Sequence, residues 1–292
     1  KHSKMKDKTK STLLLLTFIM LGIMWGMKEP GNTSYRDFFN KAERTFSVGD
    51  PNKYVWGVDL STFNGLHDDA SDYDNYDDES FFKQIKEKGA KFVFIRFGVT
   101  IYNGIDCHDI YDDRECAKKL AEYCQKYGLY YGYYFVTDAQ NAKDMKKEIK
   151  FIKNFISSDK SKYHKFPVIL DHEIYYGDGY DCNYTVRLQY LAEMSKNLMM
   201  DGHETWIYMS ESRYYEAQSY PFPANQKFWL GKWNYVVQPE KTDYNLLANF
   251  ADNVVAWQYA DDSNQYNDRG INYPQALDRN LMSEATYKKY VG

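Results

Sequence analysis

The sequence predicts an α/β fold, an irregular TIM-like (β/α)5(β)3 barrel preceded by an N-terminal transmembrane or signal helix. Three observations predict the barrel. Five apolar, β-branched or aromatic runs start 37 or 38 residues apart, helical patterns lie between them, and three more runs follow at closer spacing. The first seven runs begin at Tyr54, Lys91, Leu129, Pro167, Thr205, Lys227 and Val254, and the eighth is a short segment around Ala276 to Asp278.

Helical periodicity separates the first five runs, as in Ala142, Met145, Ile149, Ile152 and Ile156. A glycine precedes the second and third runs, at Gly89 and Gly128, where a left-handed helix stop is expected. The alternative is a doubly wound open sheet. No glycine-rich phosphate loop follows the first run, which disfavours that alternative, so residues 54–292 are expected to form one barrel domain.

Residues 1–27 have the pattern of a membrane-targeting segment. Residues 1–10 contain five Lys and one Asp, and the 16 residues from Thr12 to Met27 carry no charge. No Ala-x-Ala cleavage site follows, so the pattern favours an uncleaved signal anchor at residues 12–27, with the Lys-rich end in the cytoplasm. A cleaved signal peptide, and therefore a secreted protein, is the alternative. Residues 28–53 are expected to be a stalk or linker, and residues 54–292 to be extracytoplasmic.

The charge balance excludes one class of partner. Beyond residue 10 the chain has 32 basic and 40 acidic side chains, which makes it a poor ligand for nucleic acid. Its 43% apolar content excludes a disordered protein. The sequence has no His-x-x-x-His, Cys-x-x-Cys or Gly-x-Ser-x-Gly motif, so no metal, cofactor or serine-hydrolase triad is expected.

Acidic residues end several of the strand-like runs. Asp59 ends the first, Asp171 and Glu173 end the fourth, and Asp278 ends the last. Residues two apart on a strand point to the same side, so Asp171 and Glu173 should converge while His172 points away. Such paired carboxylates suit glycoside hydrolysis, in which crowding raises the pKa of the more buried group. Each acid alone could instead cap a helix or pair with a basic side chain, and a metal site is a further alternative.

Eight motifs together resemble glycoside hydrolase family 25, the Chalaropsis-type lysozymes or N-acetylmuramidases. They occur in the family's order over about residues 54–282. The resemblance implies a (β/α)5(β)3 barrel that cleaves the β-1,4 bond between N-acetylmuramic acid and N-acetylglucosamine, with the peptidoglycan glycan strand as partner. The motifs are GVDLSTFNG at 57–65, FVFIRFG at 92–98, GLYYGYYF at 128–135, PVILDHE at 167–173, WIYMS at 206–210, FWLGKW at 228–233, AWQYADD at 256–262 and ALDRN at 276–280.

The resemblance also assigns residues. It implies that Glu173 is the catalytic acid, with Asp171 beside it and Asp59 and Asp278 completing the acidic group. Arg96 occupies a position where the family has Arg or Lys, and we expect it to form a buried ion pair with a site carboxylate. The aromatic residues matched to the saccharide groove, each of which could instead simply fill the barrel, are Tyr133, Tyr208, Trp233 and Trp257.

Three features depart from the family pattern. Phe81 and Phe82 stand where a Trp is common, Asp68 to Asp78 is an acidic insertion, and His172 replaces an apolar residue between the two acids. The retention of all four acids favours an enzyme. A catalytically inert glycan-binding or structural envelope module, or a glycosidase for another N-acetylated glycan, are the alternatives, and the choice among inverting, retaining and substrate-assisted routes stays open.

The four cysteines have different expected states. Cys124 shares the apolar face of its helix with Ala117 and Leu120, which predicts a buried free thiol. Any disulfide is expected to join Cys107 to Cys116 or to Cys182.

Overall fold

A computed structural model of the chain describes residues 53–64, 78–102, 108–173, 184–232, 252–260, 270–271 and 277–292. These residues belong to one compact unit, residues 48–292. The predicted signal anchor and nearly all of the stalk and of the acidic insertion lie outside the described residues. None of the helices in the described ranges is long and apolar enough to cross a membrane.

Short buried strands alternate with amphipathic helices along the described chain. The strands are β1 (Tyr54–Leu60), β2 (Phe92–Tyr102), β3 (His108–Asp112), β4 (Tyr130–Val136), β5 (Val168–Asp171), β6 (Thr205–Ser210), β7 (Lys227–Gly231), β8 (Val254–Ala260) and β9 (Arg279–Ser283). The helices are α1 (Asp78–Glu87), α2 (Arg114–Tyr127), α3 (Ala142–Ile156), α4 (Tyr184–Met200), α5 (Glu211–Ala217) and α6 (Glu284–Val291).

Eight of these strands close into a barrel. β1 pairs in parallel with β2 and antiparallel with β9, and the chain of pairings continues from β2 through β4, β5, β6, β7 and β8 to β9. β3 lies outside the barrel as the second arm of a hairpin with β2. The predicted five βα units and three closing strands are therefore confirmed, and the pairing of β1 with β2 and β9 excludes the open sheet.

The last strand corrects one prediction. The eighth run was placed around Ala276 to Asp278 with Asp278 at its end, whereas β9 begins after Asp278. β9 runs antiparallel to both neighbours, so its first residue lies at the end of the barrel where the parallel strands finish. Asp278 consequently stays at the predicted end of the barrel, before the strand rather than after it.

The strands are buried on both faces. One buried cluster fills the barrel and includes Phe94, Tyr208 and Trp229, while a second, larger cluster lies between the strands and the helices. Inside the barrel, the Trp229 ring centroid lies 4.8 Å from that of Phe94 and 4.4 Å from that of Tyr208. Much of the aromatic content of the chain therefore packs the core, since one buried ring removes roughly 150–250 Å² from water.

Local signals in the sequence account for the helix ends. Gly89 and Gly128 both have positive φ, 90° and 65°, as expected for left-handed helix stops. Asn141 caps α3, because its side chain accepts hydrogen bonds from the backbone N–H groups of Lys143 and Asp144, each at 3.0 Å.

Cys124 lies in the helix–strand layer and is fully buried as a free thiol, as predicted. Burial raises the pKa of its thiol. Cys107 and Cys182 lie outside the described residues, so the disulfide pairing stays a prediction.

Candidate active site

The barrel brings all four predicted acids together at one end. Asp59 is the second-last residue of β1, Asp171 is the last residue of β5, and Glu173 follows β5 by two residues. The backbone N–H of Asp59 donates to the Asp278 carbonyl at 3.3 Å, and the side chains of these two residues are also hydrogen-bonded. Burial raises the pKa of both Asp59 and Asp171, and the negative charge of Glu173 raises both further, so the group acts as one electrostatic unit.

Asp59 is a buried acid held by two amides. Asn280 Nδ2 donates to its Oδ2 at 2.7 Å, and Gln258 Nε2 donates to the same oxygen at 3.1 Å. Burial raises the pKa of Asp59 from 3.8 to about 6, although these hydrogen bonds act in the opposite direction. Neither amide was singled out from the sequence, although both lie within motifs quoted above for the family.

Asp171 is buried more deeply than Glu173. Asp171 is 5% exposed, whereas Glu173 is partly exposed. Burial raises the pKa of Asp171 well above its usual value, the charges of Glu173 and Asp59 raise it further, and Arg96 opposes them. Crowding thus acts on the more buried of the two acids, as expected. Glu173 is the member of the pair that is accessible from solvent.

His172 points away from the acids, as the strand alternation predicted. Its ring is buried, and its imidazole hydrogen-bonds the backbone of Thr137. Burial and the nearby charges of Arg187 and Arg213 lower the pKa of His172 to about 4, so the ring is neutral at pH 7.

Arg96 forms a buried ion pair, as predicted, but its partner is not one of the predicted site carboxylates. Its Nε lies 2.7 Å from Asp113 Oδ2, and both side chains are almost fully buried. Its Nη2 also donates to Thr62 Oγ1 at 2.5 Å. Asp113 directly precedes α2, and its position before a helix start is the one signal that could have suggested a structural acid there.

Tyr208 lies at the site, together with an aromatic residue that sequence reasoning missed. The Tyr208 hydroxyl donates to Gln258 Oε1 at 2.5 Å, and the same Gln258 binds Asp59. Tyr134 points into the barrel, where the charges of Asp59, Asp171 and Asp278 help burial to raise the pKa of its hydroxyl. Strand alternation allowed either Tyr133 or Tyr134 to face inward.

The structure corrects the groove assignments of Tyr133 and Trp257. Both rings lie between the strands and the helices and are essentially inaccessible to solvent. The Tyr133 hydroxyl donates to Asp159 Oδ2 at 2.8 Å, and Trp257 Nε1 donates to the Lys232 carbonyl at 2.8 Å. Both residues occupy the outward-facing positions of their strands, so they pack against the barrel and do not line its mouth. Trp233 lies outside the described residues.

We expect Asp59→Asn to raise stability at neutral pH while lowering activity by up to about 100-fold, the lower limit for loss of an acid–base group. The pKa of Asp59 is higher in the folded than in the unfolded protein, so ionisation disfavours folding. The stability of the wild-type protein therefore falls as pH rises from about 4 to 6 and stays lower above pH 6. Removing the charge should therefore stabilise the protein by up to about 3 kcal/mol at pH 7, at roughly 1.4 kcal/mol per pKa unit, and by little at pH 4.

Thermal unfolding of both proteins at pH 4 and pH 7 measures this difference. An Asp59→Asn protein that melts below the wild type at pH 7 would contradict the expectation.

Comparison with known proteins gives a sequence family and a shared fold. The profile described as "Glycosyl hydrolases family 25" matches residues 68–268. No curated protein matches the chain by sequence.

Three solved structures share the fold at low sequence identity. The spore cortex lytic enzyme SleM of Clostridium perfringens superposes with a TM-score of 0.53 and 13% identity, over 81% of this chain and 69% of SleM. The catalytic domain of endolysin Ply40, from bacteriophage P40 of Listeria monocytogenes, superposes with a TM-score of 0.51 and 16% identity, over 82% of this chain and 97% of the Ply40 domain. The modular autolysin LytC of Streptococcus pneumoniae superposes with a TM-score of 0.51 and 17% identity, over 78% of this chain and 46% of LytC.

The profile match covers more than half of the sequence, and the closed barrel with its acids at one end agrees with it. The chain therefore belongs to glycosyl hydrolase family 25 and is a glycoside hydrolase.

Proposed function

We propose that this hydrolase cleaves the β-1,4 bond between N-acetylmuramic acid and N-acetylglucosamine in peptidoglycan. The observation that carries the proposal is the acidic group at the barrel end, in which partly exposed Glu173 lies beside buried Asp171. Membership of the family supports it. The LytC structure, which shares the fold, was determined with a synthetic peptidoglycan ligand.

In the proposed reaction, Glu173 donates a proton to the glycosidic oxygen while positive charge develops on the sugar ring. Its exposure supports this role, because the acid must reach the bond. Asp171 then either stabilises the positive ring or orients the sugar's own N-acetyl group for attack. Asp59 and Asp278 complete the negative environment. Tyr208, through Gln258, helps to hold Asp59 in place.

Mass analysis of the products released from purified Gram-positive cell wall tests the bond specificity. The expected fragments carry N-acetylmuramic acid at the reducing end, which borohydride reduction labels. Fragments with reducing N-acetylglucosamine would contradict the proposed bond. The absence of any new reducing end would instead favour the inert glycan-binding module. A parallel digest with a muramidase of known specificity provides the reference masses.

We further propose that residues 12–27 tether the barrel to the outer face of the cell membrane. The support is the uncharged 16-residue run that follows a net charge of +4. The native protein should therefore resist a carbonate wash of the membrane fraction and should keep its Lys-rich N-terminal region. A washed-off protein whose sequence begins after Met27 would contradict the tether without affecting the proposed reaction.

A further inference from the structure

A buried acid lies outside the acidic group, on the helix side of the barrel. Glu148, on α3, is completely inaccessible to solvent. Both of its carboxylate oxygens accept hydrogen bonds from threonine hydroxyls. Thr100 donates to Oε1 at 2.6 Å and Thr137 donates to Oε2. A buried carboxylate needs such donors, so Glu148 fixes the positions of both hydroxyls.

The two threonines differ in what else they contact. Thr137 directly follows β4, and its backbone N–H donates to the Asp171 carbonyl at 2.9 Å. The backbone of the same Thr137 also accepts the hydrogen bond from the His172 imidazole. One residue thus binds both Asp171 and His172, the two positions before Glu173. Thr100 lies in β2, where it pairs with Ile110 of β3.

The opposite side of β5 is held independently. The backbone N–H of His172 donates to the Tyr208 carbonyl at 3.0 Å, which ties β5 to β6. On the β4 side, the residue after Thr137 is also fixed. Asp138 forms an ion pair of 2.9 Å with Arg187 on α4, and both side chains are largely buried. The segment from Asp171 to Glu173 is therefore held on one side by β6 and on the other by Thr137.

We propose that Thr137, fixed by the buried carboxylate of Glu148, is a positioning residue for the carboxyl groups of Asp171 and Glu173. His172, the residue that departs from the family pattern, is part of this arrangement because its ring binds Thr137 rather than the substrate. The inference rests on the glycoside hydrolase activity of the proposed site, and it holds whichever glycan bond is cleaved.

The test compares two substitutions that remove the same kind of hydrogen bond from the same carboxylate. Thr137→Val should lower kcat on a soluble peptidoglycan chain by about 10-fold with little change in KM, since small misplacements of reacting groups cost up to about 100-fold in rate. Thr100→Val should lower the melting temperature by a similar amount and leave kcat within about 2-fold of wild type, because Thr100 does not contact the Asp171–Glu173 segment. Thr137→Ser restores the hydroxyl and should restore kcat.

Equal kcat values for Thr137→Val and Thr100→Val would overturn the proposal, since both residues would then be merely structural. If Thr137→Val does not fold, Glu148→Gln replaces it, and wild-type kcat in a folded Glu148→Gln protein would overturn the proposal equally. A crystal structure of the variant gives a readout that does not depend on activity. Unmoved Asp171 and Glu173 side chains would contradict positioning, whereas an inactive wild-type protein would contradict the proposed function instead.

Discussion

Glu173→Gln is expected to lower the hydrolysis rate by about 100-fold or more, because the amide keeps the volume of the side chain but has no acidic proton to donate. The rate of reducing-end release from purified cell wall measures the loss. Glu173 lies at the partly exposed position of the acidic pair, so the substitution should leave the barrel folded.

Glu115→Gln is the matched control. Its side chain is exposed on α2 and pairs with Lys118. This variant should retain wild-type activity. A well-folded Glu173→Gln protein with full turnover would remove Glu173 from the reaction and would leave Asp171 or Asp59 to be tested as the acid.

Asp171→Asn is expected to cause a loss of similar size, about 100-fold. When Glu173 is protonated, its charge no longer raises the pKa of Asp171, so Asp171 can ionise and stabilise the developing positive charge, which a neutral amide cannot do. This change should not lower the melting temperature. Burial and the charges of Glu173 and Asp59 already disfavour the ionised form of Asp171, so the neutral amide removes an unfavourable interaction.

Steady-state rates and thermal unfolding at pH 7 test both parts of this expectation. Asp201→Asn controls for the loss of one negative charge. Asp201 directly follows α4, is exposed and pairs with Lys153. If Asp171→Asn keeps wild-type activity, its carboxyl group is structural, and if it melts far below wild type, the group is stabilising in its ionised form.

The sequence alone was sufficient to locate the acids but not the aromatic residues. Asp59, Asp171 and Glu173 end or follow an apolar run, and that position fixes the barrel end at which they lie. Asp278 lies at the same end because it precedes an antiparallel strand. Tyr133 and Trp257 lie within such runs. Because barrel strands are buried on both faces, their apolar pattern is continuous and does not reveal which side chains point inward. Their assignment to the groove was wrong for this reason.

Two other features depend on contacts between distant parts of the chain. The partner of Arg96 is Asp113, a residue whose surroundings form only when α2 packs against β2. The direction of β9 follows from its pairing with β1 and β8, and the spacing of the eight runs would be compatible with either direction. Local periodicity contains no information about such pairings.

The seam between β1 and β9 has a consequence for biosynthesis. Asp59 is held by Gln258 and Asn280, which follow it by 199 and 221 residues. During translation the earliest acid is made long before the amides that fix it, and contacts of such high sequence separation form late in folding. A nascent or truncated chain that lacks β9 consequently has an open seam and an unsupported Asp59. Hydrolytic activity should thus arise only once the last strand has docked.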